Sequence, residues 1–271
     1  MKNLLTFFSL FLFSFSIVKA QVPEMTDSTN TVLGMLLLPE MKLMDYPSIE
    51  EGILDTWDLE QDDIDGNDQT ISFLSDGITY LIAMIPAPVP GEQLETAVEY
   101  SYLWKDARSA LNNQSHIAIA VVGEKTPLEL NIAFTKITAI LLENSDATGV
   151  YLNNQTLVLS KEFYLQEAAT MDEEQLPLYL WIYFGLRPGD EGNSAYTYGL
   201  KEFGLKEIEV VNSENSMDEV VAFIYSASQY VLAGNLELND GETIGFSEEQ
   251  KINITLSNGV NLDGETFKLA Y

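Results

Sequence analysis

The sequence predicts an α+β fold, a mixed or antiparallel sheet with helices on one face, and three observations carry that prediction. Short apolar runs of strand length recur between clusters of Gly, Pro, Asn and Asp. Three S/T-x-x-E boxes, at 48–51, 126–129 and 216–219, each open an apolar stripe of helical period. The order strand, helix, strand, strand, helix, strand runs once over residues 32–122 and again, more loosely, from 149. That is the order of the ferredoxin-like βαββαβ unit, so a pair of such units is the expected architecture.

Taken in order, residues 32–38 form an apolar strand that Pro39 ends. The box Ser48-Ile49-Glu50-Glu51 starts a helix with Ile49, Ile53, Leu54 and Trp57 on one face. Residues 61–68, QDDIDGND, are an acidic turn. Residues 70–74 and 78–85 are strands joined around Asp76-Gly77, a hairpin signal. Pro86, Pro88 and Pro90 impose an extended loop, and helical segments at 92–100 and 106–112 flank Trp104. Residues 117–122 are a strand. Thr126 then caps a helix with Pro127 at its first position and Leu130, Phe134, Ile137 and Leu141 as its stripe.

The second half begins with short strands at 149–152 and 156–159 and a helix at 161–170. Residues 178–184 are apolar at both parities and read as a central, covered strand. A strand at 195–200 follows. Ser216 caps a helix through Val220, Phe223, Ile224, Ala227 and Val231 that Gly234 stops. Strands at 252–256 and 266–269 close the chain, with turns at Asn239-Asp240-Gly241 and Asp263-Gly264.

Residues 1–20 have the layout of an export signal. Lys2 precedes an apolar run at 4–18, and Val18-Lys19-Ala20 places small residues around a cleavage site before Gln21. With no cysteine there, a lipoprotein anchor is excluded, and the expected location is the periplasm or the exterior. The mature chain is then a lead at 21–30 and a single domain at 31–271, with 31–145 and 146–271 as subunits if it divides. Lys2 and Lys19 leave with the signal, so eleven basic residues face 42 acidic ones, a net charge of −31. Such a surface repels nucleic acid and anionic lipid and favours a cationic protein partner. No segment after the signal is apolar enough to insert in a membrane.

Several strings resemble a known family in their order: MLLLPE (35–40), ITYLIAMIPAPVPGEQLE (78–95), YLWKDA (102–107), SHIAIAVVG (115–123), YTYGLKEFGLKEIEV (196–210) and GETIGFSEEQKI (241–252). Together they resemble the bacterial family called domain of unknown function 4261, over nearly all of the mature chain. The resemblance implies no defined activity and no catalytic motif.

The residue inventory narrows the chemistry further. Absence of cysteine removes thiolate nucleophiles and thiolate metal sites, and the single histidine removes multi-histidine sites. His116, beside Ser115 at the start of an apolar strand, reads as a structural histidine, since triad members meet through the fold and not as sequence neighbours. Asp63, Asp65 and Asn67 alternate as in a calcium loop, but Asp68 and Leu74 stand where that loop needs Gly and Glu. A weaker turn-bound calcium is the alternative to a solvated turn. No phosphate-binding glycine motif is present, and no cofactor is expected.

Tyr179, Trp181 and Tyr183 share one parity of the strand expected at 178–184, with Tyr196 and Tyr198 on the next strand. With Trp104 beside the proline loop they make a candidate face for stacking a sugar or a peptide, or else a core layer. The expected function is a non-enzymatic, exported binding module with an acidic surface, of the kind that inhibits or gives immunity against a basic protein. The alternatives are an envelope hydrolase using paired carboxylates and a small-ligand or glycan binder.

Overall fold

The computed structural model describes residues 28–172, 175–245 and 251–271. The segment expected to be an export signal and most of the lead at 21–30 lie outside the described residues. The fold is α+β, with two mostly antiparallel sheets.

The first sheet is built from β1 (Asn30–Leu38), β2 (Ile64–Gly66), β3 (Thr70–Ser75), β4 (Ile78–Ile85), β5 (Ser115–Gly123), β6 (Gly149–Leu152) and β7 (Leu157–Ser160), in spatial order β2-β3-β4-β5-β1-β6-β7. Every adjacent pair in it is antiparallel. A ferredoxin-like unit sets its first and third strands side by side, whereas here β5 lies between β1 and β4, so the expected topology is not the one formed. The chain returns beside its own strands instead: β5 pairs with both β4 and β1 along their length. Asp76 and Gly77, at φ 49° and 73°, form the tight turn between β3 and β4.

Helices cover both faces of this sheet rather than one. Met35, Leu36, Leu37 and Leu38 are all buried, so both faces of β1 need cover. On one face Leu36, Ile82, Ile117, Ile119 and Val121 pack under α1 (Tyr46–Trp57) and α3 (Pro127–Glu143). On the other, Met35, Leu37, Tyr151 and Val158 pack under α2 (Gly91–Tyr100) and the 3₁₀ segment Ala107–Asn112. The cap expected at Ser48 is displaced: Pro47 starts α1 earlier, Asp45 takes the N-cap position, and the Ser48 hydroxyl donates to Asp45 at 3.0 Å. The caps at Thr126 and Ser216 form as full capping boxes.

After α4 (Lys161–Ala168) comes the second sheet. It comprises β8 (Tyr183–Arg187), β9 (Asn193–Tyr198), β10 (Ile208–Ser213), β11 (Thr243–Ile244), β12 (Ile252–Asn258) and β13 (Glu265–Leu269), in order β11-β12-β13-β10-β9-β8. Its one parallel contact is β10 with β13. Helix α5 (Met217–Ala233) lies on one face, where Val220, Phe223 and Ile224 join the same core cluster as Phe184, Ala195, Ile208 and Val210. Strands β6 and β7 belong to the first sheet, so the sheets part between residues 160 and 183, not after 145.

The strand expected at 178–184 is a 3₁₀ turn, Leu178–Leu180, leading into β8 at Tyr183. The amides of Leu180, Trp181 and Ile182 bond to Pro177 and Leu178 carbonyls within the turn. Uninterrupted apolarity marks a buried segment without marking its period.

Candidate functional site

The predicted aromatic face is taken apart by that turn. Trp181 is 1% exposed and donates its indole N–H to the Thr135 hydroxyl of α3 at 2.9 Å. Tyr179 is half-buried against Phe163, Phe184 and Tyr225. Trp104 packs on the far side of the first sheet, over Gly149, where a Cβ would come within 2.6 Å of its ring. Of the four, Tyr183 alone lies in a tyrosine group that reaches the surface, beside the exposed Tyr100 and Tyr102 and the buried Tyr196. Burial pushes its phenol up to about 12.

His116 is buried in β5, and its Nδ1 lies 2.8 Å from the Ala87 carbonyl of the proline loop. Burial holds its pKa below the ordinary value. It ties β5 to that loop. In the acidic turn, the Asn67 side-chain oxygen accepts from the amides of Gln69 and Thr70, and Asp63 accepts from the Glu60 amide. Those oxygens serve the turn itself. Among the described residues no three His, Asp or Glu side chains group as a metal site, and no helix is long and apolar enough to cross a membrane.

Two buried carboxylates that sequence reasoning missed bracket Ile208. Glu207 accepts from the Thr197 hydroxyl at 2.7 Å and from the amides of Gly199, Leu200 and Lys201. Burial still raises its pKa. Glu209 accepts from the amides of Val260 and Asn261 and the Thr266 hydroxyl, and pairs with Lys268 at 2.7 Å. Burial alone would raise its pKa; the ammonium and the donors outweigh that and lower it. Both carboxylates are spent on turns of the second sheet. Glu167 of α4 has a pKa raised by partial burial, and its charge reaches Tyr179 and Tyr225.

A hollow of about 260 Å³ opens where the loop between β1 and α1 meets the end of α3. Leu38, Met44 and Ile117 form its buried apolar floor. Asp45, Glu143 and Asp146 stand on its wall, and Leu43 and the neighbouring Met41 are 51% and 69% exposed. The C-terminal end of α3, at Glu143, adds the negative pole of a helix. Lys42 reaches across to Asp146, and this contact raises the Lys42 pKa and lowers that of Asp146. The Lys161 ammonium donates to the Ser145 carbonyl at 2.9 Å and holds the loop that carries Asp146. No sequence signal marks this site, because its parts come from residues about 100 positions apart.

Residues 196–270 match the model of the family described as Domain of unknown function (DUF4261). No curated protein and no solved structure matches the chain. The match runs from within β9 through β13 and leaves out the strings at 35–40, 78–95, 102–107 and 115–123, so the family likeness covers the C-terminal part and not nearly the whole chain. Over residues 196–270, this chain is similar to the family of the domain of unknown function DUF4261.

Proposed function

We propose that this protein is a non-enzymatic binding module for a cationic protein partner, with the hollow between the β1–α1 loop and the end of α3 as its contact point. The observation that carries this reading is the pairing of an apolar floor with an acidic wall at a helix C-terminus. An apolar floor supplies affinity by removing surface from water. The carboxylates and the helix pole favour a lysine or arginine of the partner, and the net charge of −29 speeds its approach. The exposed Met41 and Leu43 are the side chains such a partner would cover. Among the described residues, the hydrolase reading retains the partly buried Glu167, whose carboxyl is raised by burial and whose charge acts on Tyr179 and Tyr225.

The test is calorimetric titration with an amphipathic lysine-rich peptide. Binding is expected to weaken about tenfold or more when salt rises from about 50 to about 500 mM. Asp146→Asn combined with Glu143→Gln should weaken it. Lys42→Met should tighten it, since the chain's own cation no longer competes for Asp146. Affinity indifferent to salt and to all three changes would refute the reading.

A further inference from the structure

The second sheet is covered by α5 on one face; on the other, over β8 and β9, Arg187 is exposed and Tyr183 and Tyr198 are half-buried, while Tyr196 and Ser194 are buried. Strand alternation puts Phe184 and Ala195 under the helix and turns Tyr183, Gly185 and Arg187 of β8 outward beside Tyr198, Tyr196 and Ser194 of β9. Gly185 is required by this arrangement: a Cβ there would lie 2.0 Å from the Tyr196 ring, which crosses the strand at that point. Tyr183 meets Tyr196 at 6.3 Å between centroids and then meets Tyr100 and Tyr102, at the end of α2, at 6.4 and 6.0 Å. Tyr100 and Tyr102 are 48% and 43% exposed. Elements of both sheets thus build one tyrosine strip.

Cations line the same strip. The Arg187 guanidinium lies 5.7 Å from the Tyr196 ring centre and donates to its hydroxyl at 3.4 Å. The Lys201 ammonium sits 4.4 Å over the Tyr198 ring. Neither makes an ion pair among the described residues, in a chain with 42 acidic and 13 basic side chains. The carboxylate that shares this face, Glu209, is buried and neutralised by Lys268. The strip is therefore aromatic and carries two cations that form no ion pair among the described residues.

We propose that this face binds an acidic saccharide, a sugar chain carrying carboxylates, with its rings on Tyr100, Tyr102 and Tyr183 and its carboxylates at Arg187 and Lys201. The strip runs from the end of α2 across β8 to β9, which suits an extended chain better than an enclosed small molecule. A pyranose offers apolar C–H faces to the rings and hydroxyls to the phenol oxygens. A strand-adding peptide would use the free backbone edge of β8, not the tyrosine faces.

Calorimetric titration of the purified protein with oligogalacturonate and with oligomannuronate tests this, using the methyl-esterified forms as neutral controls. At least one acidic oligomer is expected to bind more tightly than its ester, and less tightly at high salt. Tyr183→Ala and Arg187→Gln should each weaken binding about tenfold or more, and Tyr183→Phe should retain it. Circular dichroism of each variant separates lost binding from lost folding. Binding of neither oligomer overturns the proposal, as does equal binding of the esters, or binding that both variants leave intact. Polyglutamate that binds as tightly, and indifferently to Tyr183→Ala, overturns it in favour of a peptide. The Asp146 and Lys42 variants should leave saccharide binding unchanged, so this site and the hollow stand or fall separately.

Discussion

Glu207 and Glu209 lie one residue apart from each other across Ile208, and their surroundings push their pKa values in opposite directions. A carboxyl whose folded pKa is lowered contributes stability above its unfolded pKa and loses it as pH falls through the folded value. Glu209 should therefore contribute to acid unfolding, and Glu209→Gln should flatten the fall of the urea midpoint between about pH 5 and about pH 3. A steeper fall in that variant would contradict the assignment. The raised pKa of Glu207 has the reverse sign: its contribution is full at low pH and declines as pH rises through the folded value. Its oxygens nonetheless satisfy three amides and a hydroxyl. Glu207→Ala should cost about 3 kcal/mol in denaturant unfolding, because those buried donors lose their acceptor. Neither role was legible in the sequence, where both residues are two more acids among 42.

At the scale of elements, capping chemistry was readable at two of the three boxes. Thr126 and Ser216 each accept from the amide three residues on, and the glutamate there returns the bond. Ser48 matches the same pattern and does not cap, since Pro47 moves the helix start upstream. Thr126→Ala should thus cost about 1 kcal/mol, while Ser48→Ala should change stability by less than about half of that. Equal losses at the two sites would show that Ser48 caps after all. The end of α5 departs in a similar way. Gly234 keeps right-handed φ, and Asn235 takes the left-handed position at φ 46°, with the Leu236 amide bonded to the Val231 carbonyl. β10 escaped sequence reading because Glu209 interrupts its apolar pattern, although alternation of Ile208 and Val210 was there to find. Gly185→Ala should displace the Tyr196 ring and cost about 2 kcal/mol by thermal unfolding, with tyrosine near-ultraviolet dichroism altered.

For the whole molecule, one buried cluster joins α1 and α3 of the first sheet to α5 and the second sheet. The Trp181 indole fixes the join by its bond to Thr135. Unfolding should therefore be a single transition, with tryptophan fluorescence and far-ultraviolet dichroism coincident. Two separated transitions would show that the sheets are independent units. Trp181→Ala should cost about 3–5 kcal/mol, since it empties a large buried volume and removes the indole hydrogen bond to Thr135. A net charge of −29 stores self-repulsion, so added salt should raise the melting temperature.

The sequence by itself determined where β1, β3, β4, β5, α3 and α5 lie, the α+β class and the acidic surface, because periodicity, turn residues, caps and charge act over a few neighbours. Only the tertiary structure decided the all-antiparallel order of the first sheet, the helical cover on both its faces, the burial of Trp181 and the tyrosine strip around Tyr183. Those depend on which strand finds which partner and on what fills the space beyond. Residues as far apart as Lys42 and Asp146, or Tyr102 and Tyr183, meet only after that choice is made.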